Sequence, residues 1–249
     1  MYFRKKSHSQ NFVNIYNETM FFTDLLFPKH CLGCSILGAY ICPKCQRQLH
    51  YLDRNTCFYC KKASLYSLTH PICLKNFNIT GLTAIFSYNN LLKKIIKNIK
   101  YRLVTEAWKD LTRIIEPEAV RQIGFYKRIS KDFFLQPIPL SKRKIRERGF
   151  NQAFLITRFF QAFLDFPISD FLIRVKETLP QAELKTKKDR YNNLRGAFKI
   201  NPVNKSKVIG SKIILVDDVV TTGSTVREAA KVLKKAGAAK VYVLALAKG

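Results

Sequence analysis

Acidic residues are scarce in this chain. Only 17 Asp and Glu stand against 44 Lys and Arg in 249 residues, a formal net charge of +27. The excess is spread along the chain, and a balance of this sign favours polyanions: nucleic acid, phosphorylated small molecules or an anionic membrane surface. Long apolar runs are missing too. No stretch reaches the roughly 18 apolar residues that a transmembrane helix needs. The basic opening MYFRKKSHSQ has no small-residue cleavage site after it, and Asn14, Asn17, Glu18 and Asp24 break the segment that follows, which argues against a secretory signal. No low-complexity tract and no long internal repeat is visible. What remains is a globular composition, 47% hydrophobic, with length for one ordinary domain and a small one.

The seven cysteines all fall in one short segment. They form Cys31-x2-Cys34, Cys42-x2-Cys45 and Cys57-x2-Cys60, and His70 precedes Cys73 at the same spacing. Two ligands at this spacing sit on a tight turn that points both side chains at one ion, and two such turns close a tetrahedron around zinc. Eight ligands make two sites. The first two pairs give an all-cysteine site and the last two a site of three cysteines and a histidine, or the pairs interleave; spacing alone admits both. Four protein ligands leave no open position for chemistry, so the expected role is structural, with one or two zinc ions. Metal-ligand spacing and an odd cysteine count point to a reducing cytoplasm.

Around this segment the chain divides into three parts: a leader over 1–27, the cysteine segment over 28–76, and a larger domain over 78–249. The leader carries Phe12, Ile15, Tyr16, Phe22, Leu25 and Leu26 at roughly helical spacing up to Pro28. In the larger part, strands are expected at Leu82–Tyr88, Phe133–Leu140, Lys212–Val216 and Val241–Ala247. Helices are expected at Leu91–Ile115, Asn151–Leu164 with Asn151 as N-cap, and Ser224–Ala236. Alternation of this kind predicts an α/β domain with a parallel sheet.

One junction carries chemistry. The run ILVDDVVTTGST ends a strand with Asp217 and Asp218, and Thr221, Thr222, Gly223, Ser224 and Thr225 lead into a helix. Ligands of open α/β sheets bind outside the carboxyl ends of the strands. A helix N-terminus offers free N–H groups to an anion, Gly223 permits close backbone approach, and the hydroxyls add donors. Two adjacent carboxylates suit a sugar diol or a magnesium ion carried by a polyphosphate. No Gly-Lys-Ser/Thr is present, so this is not a Walker loop.

The string Val216–Thr225 resembles the signature of type I phosphoribosyltransferases. The order FTDLLFPKHC, cysteine segment, IIKNIKYR, PIPLSKRKIRERGFNQA, LPQAELKTKKDRYNNLRGAF and phosphate loop is similar to the ComF/GntX family from about Thr23 to the end. The resemblance implies a small N-terminal double zinc ribbon before a type I phosphoribosyltransferase parallel-sheet domain. It implies binding of phosphoribosyl pyrophosphate or a related ligand with magnesium, and work on single-stranded DNA during natural transformation beside a DNA-uptake helicase. An active transferase moving the 5-phosphoribosyl group to an acceptor, and a ligand sensor without turnover, are the alternatives. Under the resemblance, Asp217 and Asp218 contact the ribose hydroxyls directly or through magnesium, and Thr221–Thr225 cradle the 5′-phosphate. Leu140–Arg148 suits the pyrophosphate loop and Gln181–Arg195 a closing loop, whose Arg190 would stabilise the leaving group. The chain departs from the family in having His70–Cys73 where a last CxxC is usual.

Three basic runs remain. Lys142, Arg143, Lys144, Arg146 and Arg148 crowd one loop, with Lys142, Arg146 and Arg148 taken as ligand contacts. Lys185, Lys187, Lys188, Arg190 and Arg195 form a polar run without apolar periodicity, as a lid would. Lys93, Lys94, Lys97, Lys100 and Arg102 share a helix with Leu92, Ile95, Ile96 and Ile99. Single strands also need aromatic platforms, and Phe58, Tyr59, Tyr66, Tyr101, Phe150 and Tyr191 are the candidates. No recognisable acceptor-base pocket and no N-terminal catalytic cysteine is evident.

Overall fold

The structure, a computed structural model, describes residues 28–102, 107, 110–111, 113–115, 122–178 and 186–249. The expected leader helix and the first part of the expected lid, 181–185, lie outside the described residues.

The larger part is built on a parallel sheet. Its strands are β1 (Gly81–Ser87), β2 (Phe133–Pro137), β5 (Lys212–Val220) and β6 (Lys240–Lys248), in the order β1-β6-β5-β2. All three pairings are parallel. Both faces of such a sheet are covered, so the strands read as unbroken apolar runs. Alternation then divides each strand between two cores. Ile214, Val216, Tyr242 and Leu244 face one, with Leu92, Ile95 and Ile96 of α1 (Asn90–Arg102) and Ile156 and Phe160 of α4 (Gln152–Leu164). Ile213, Leu215, Val241 and Val243 face the other, with Val226, Ala229 and Leu233 of α6 (Ser224–Lys235). Between β2 and α4 lies α3 (Lys142–Arg148), and α2 (Phe125–Ile129) precedes β2. A two-stranded antiparallel flap, β3 (Leu172–Arg174) and β4 (Phe198–Ile200), is joined through α5 (Lys187–Leu194). The buried Gln136 ties this flap to the sheet, its Oε1 accepting from Phe171 N at 2.6 Å.

The cysteine segment folds as the same hairpin used twice. His30 bridges Leu37 around the first knuckle and Thr56 bridges Ala63 around the second. At the equivalent turn positions Ser35 and Lys61 take left-handed backbone, with φ of 67° and 63°. Each knuckle sends one apolar side chain to a different side of the sheet: Leu32 joins the core against α1, and Phe58 joins the core against α6. The first knuckle is fastened by Asn98 Nδ2 donating to Leu32 O at 3.2 Å.

Three expectations need correction. The KRKIRER run is a helix rather than a loop: Ser141 Oγ caps Lys144 N at 3.4 Å, and Gly149 closes it in left-handed backbone at φ 74°. The tail of the expected lid is also a helix, α5, with Leu194 buried in the core. Finally, β5 does not stop at Val216. It keeps pairing with β6 as far as Val220↔Lys248. The Asn151 N-cap stands as expected, its Oδ1 accepting from Ala153 N at 3.0 Å.

Candidate functional site

The cleft arises where neighbouring strands end at different points. β2 pairs with β5 only to Pro137↔Val216, and the last bond between them is Ile138 N donating to Val216 O at 2.9 Å. β5 runs on beside β6, so Asp217 and Asp218 are strand residues with an uncovered flank. Successive strand side chains point to opposite faces. Asp218 is buried and Asp217 half-buried. Each carboxylate accepts from the next backbone amide at 2.9 Å, Asp217 Oδ1 from Asp218 N and Asp218 Oδ1 from Val219 N.

Two cavities meet at this point. The smaller, 80 Å³, is lined by Asp217, Thr221, Thr222, Gly223, Ser224 and Thr225 and opens at the N-terminus of α6. There Thr222 Oγ1 lies 3.0 Å from Ser224 Oγ. The larger, 450 Å³, is walled on one side by Asp217, Asp218, Thr221 and Thr225. On the other stand Lys144, Arg148, Arg174 and Arg190. Tyr88 and Lys93, which follow β1, also line it.

The cationic wall draws on three elements. Lys144 and Arg148 stand four residues apart on α3 and share one face of it. Lys142 and Arg146 stand on another face, exposed, and do not line the cleft. Arg174 ends β3, donates to Thr178 Oγ1 and lies 5.5 Å from the Phe198 ring. Burial lowers the Arg174 pKa, while the Asp217 and Glu177 charges hold it up. Burial also lowers Lys144, and the charges of Arg174, Arg148 and Arg143 add to the effect. Only Glu177 opposes, and the ammonium pKa falls to about 8. A hydrogen bond from Ser141 and the Arg143 and Arg174 charges hold Glu177 below the usual carboxylate range, against a smaller effect of burial.

Lys144 faces the cleft with Arg148 because KRKIRER is a helix. The signals for a helix were present, a Ser before the run and a Gly after it. Arg174 and Thr178 carry no local signal, because the flap brings them to the cleft from a distant stretch of chain.

The metal ligands also come together. Cys31, Cys34, Cys42 and Cys45 form one group and Cys57, Cys60, His70 and Cys73 the other, with ligand atoms within 4.8 Å of one another in each. The first pairing raised by the spacing is therefore the one adopted, and interleaving is not. Both groups fit zinc. Sulfur and imidazole are its preferred donors, and His70 Nε2 donates to Ala63 O at 3.0 Å, which leaves Nδ1 facing Cys60 Sγ at 3.2 Å. Burial works upward on these thiols, yet backbone amides of Cys42, Cys34 and Gly33 bring Cys31 down to about 6. Burial and the neighbouring cysteines push Cys45 up to about 12.

Of the aromatic candidates, Phe58 is buried against α6 and Tyr66 stacks on Phe125 with centroids 4.2 Å apart. Phe58 offers no free face, and half-buried Tyr66 also has the Arg128 guanidinium 5.6 Å from its ring centroid. The side chains of Tyr101 and Tyr191 lie outside what the structure describes. Among the described residues, no helix is long and apolar enough to cross a membrane.

Residues 167–249 match the family model for the phosphoribosyl transferase domain. Competence protein F of Haemophilus influenzae is 32% identical over 225 residues, covering 88% of this chain and 95% of that protein. DNA utilization protein YhgH of Escherichia coli is 31% identical over 233 residues, covering 89% and 98%. Competence protein ComFC of Bacillus subtilis is 28% identical over 211 residues, covering 80% of each.

Proposed function

The chain belongs to the ComF family, and from that premise we propose that its cleft binds phosphoribosyl pyrophosphate, or a close phosphorylated relative, and that the protein serves in handling DNA taken into the cell. One observation carries the ligand reading. Lys144, Arg148 and Arg174 converge on one wall of a cleft whose other wall is a pair of carboxylates and a hydroxyl-rich helix N-terminus. Cations packed closely enough to depress one another call for a polyanion. The facing carboxylates call for hydroxyls or a cation between them and that polyanion. A sugar diol carrying a phosphate at one end and a pyrophosphate at the other meets both demands.

The roles follow from place. The 80 Å³ cavity takes the 5′-phosphate on the N–H groups and hydroxyls of Thr221–Thr225. Asp217 and Asp218 take the ribose hydroxyls and offer hard oxygen donors to a magnesium ion. Lys144, Arg148 and Arg174 take the pyrophosphate, and Arg190 stands on the same wall. Transfer of the phosphoribosyl group is the second reading, favoured by the 450 Å³ of the cleft, whose size leaves room for an acceptor. In that reaction a nucleophile bonds to C1 as the C1–O bond to pyrophosphate breaks, and the cationic wall stabilises the departing charge. The names of the relatives, competence protein and DNA utilization protein, support the DNA role, as does the net charge of +27.

Calorimetric titration with phosphoribosyl pyrophosphate and magnesium tests the ligand reading. Asp217→Asn with Asp218→Asn is expected to weaken binding by about 1–3 kcal/mol for each charge-assisted hydrogen bond lost. The same change is expected to leave sulfate binding nearly intact, because the N–H cradle remains. Equal affinity in the double variant and the unaltered chain would show that the carboxylates do not serve a ribose.

A further inference from the structure

The second metal knuckle reaches the phosphate loop directly. Phe58 lies between Cys57 and Cys60, is 1% exposed, and packs against Gly223. Gly223 has φ +74°, and a β-carbon built on it would lie 2.2 Å from Phe58 Cζ, 2.9 Å from Cε2 and 3.2 Å from Cε1. The space that a side chain would occupy at the head of α6 is therefore filled by an aromatic ring from the ribbon. One turn along, the Arg227 guanidinium lies 4.8 Å from the Phe58 centroid and 5.0 Å from that of Tyr59. Tyr59 Oη in turn accepts from Ile79 N at 2.9 Å, and Lys248 Nζ, at the end of β6, donates to Thr56 Oγ1 at 3.0 Å. The knuckle is thus fixed to the sheet on both sides of the contact.

We propose that Phe58 is a positioning residue for the phosphate loop, and that it links occupancy of the second metal cluster to the grip of the loop on a phosphate. The inference rests on the reading of Thr221–Thr225 as that loop. The physical chain is short. A metal ion on Cys57, Cys60, His70 and Cys73 fixes the turn that carries Phe58. The ring then sets the position of Gly223, and with it the neighbouring amides and hydroxyls that line the 80 Å³ cavity. Loss of the metal frees the turn, and the loop loses its support. Linkage is reciprocal, so a ligand that orders the loop also holds the knuckle and raises its affinity for the metal. The glycine therefore has a use that sequence alone did not suggest, which is to admit Phe58.

A double-mutant cycle on the full chain tests this. The unaltered protein, Phe58→Ala, Gly223→Ala and the double variant are checked for zinc content by elemental analysis. They are then titrated with phosphoribosyl pyrophosphate and magnesium. Gly223→Ala is expected to weaken binding on the order of tenfold or more, because its methyl collides with the ring. Phe58→Ala alone is expected to weaken binding several-fold, because the loop loses its support, and adding it to Gly223→Ala removes the collision and recovers part of that loss, the strain of a side chain at φ +74° remaining. If the effects of the two single changes simply multiply in the double variant, the wedge is overturned. Phe58→Leu replaces Phe58→Ala in the cycle if the alanine variant does not fold. A second readout needs no variant. Saturating phosphoribosyl pyrophosphate is expected to raise the affinity for one of the two zinc ions roughly fivefold in equilibrium competition with a zinc-selective chelator, and an unchanged zinc affinity in a chain that binds the ligand overturns the coupling. If the unaltered chain does not bind phosphoribosyl pyrophosphate at all, the phosphate reading itself falls, and the wedge with it.

Discussion

Ligand affinity is expected to fall as pH rises above about 8, and Lys144 is the reason. Its ammonium is brought from 10.5 to about 8 by burial and by Arg174, Arg148 and Arg143. A bound pyrophosphate adds opposite charge to that of Glu177 and returns the group toward its ordinary value. Binding then takes up a proton wherever the free protein has already lost it. Between pH ~7.5 and ~9.5, complete recovery would cost about twentyfold in affinity. Solvent reaches Lys144, so the protein field is partly screened and a fall of about three- to tenfold is the expected result. The window is chosen above the second ionisation of the phosphates, near pH ~6, so that the ligand keeps its charge throughout. The assay is calorimetric titration at several pH values, repeated in two buffers of different ionisation enthalpy to count the proton directly. Lys144→Arg stays charged across the range and should bind with a flat profile. Affinity independent of pH in the unaltered chain, or the same fall in Lys144→Arg, would refute the reasoning. Without ligand the sign reverses. The unfolded chain holds this proton up to 10.5 and the folded chain only to about 8, so Lys144 contributes stability that grows as pH rises through that interval.

Two further outcomes are expected. Purified protein should carry about two zinc ions per chain, with Cys31→Ser or Cys57→Ser causing aggregation, because metal binding and folding are one process in small ribbons. Elemental analysis that finds folded protein without metal would contradict this, and a value near one would remove His70 from the ligand set. Labelled single-stranded DNA should bind with a log–log salt slope of about −0.7 per phosphate neutralised, measured by anisotropy, and replacing the exposed Lys142, Arg143 and Arg146 should flatten the slope. Affinity unchanged by salt would remove the DNA reading.

Several features of this protein were legible in the chain because their causes are local. The cysteine pairs name their own chemistry, since two thiols on one turn serve one ion whatever surrounds them. The strand, hydroxyls and glycine before α6 are one contiguous string, so this strand-to-helix junction was readable without a neighbour. Periodicity placed α1, α4, β1 and β6 for the same reason. Lys144 was a nearer miss. Its helix is marked by Ser141 and Gly149, but the density of charge suggested a loop, and only the helical turn separates Lys144 and Arg148 from Lys142 and Arg146.

Tertiary structure decided what depends on partners far along the chain. β5 runs past Asp217 and Asp218 because β6 continues beside it, and no local sequence feature announces where a neighbouring strand will end. Arg174 and Thr178 reach the cleft because a buried Gln136 holds their flap to the sheet, a contact across 35 residues. The pairing of the metal ligands was settled by the two hairpins, where spacing had admitted two answers. Gly223 shows the difference most sharply. The sequence marked it as a place where backbone must be approached closely, since glycine is the residue without a β-carbon. That the approaching group includes a ring from the ribbon is a fact about packing between distant segments, and packing is fixed only when the whole chain has folded.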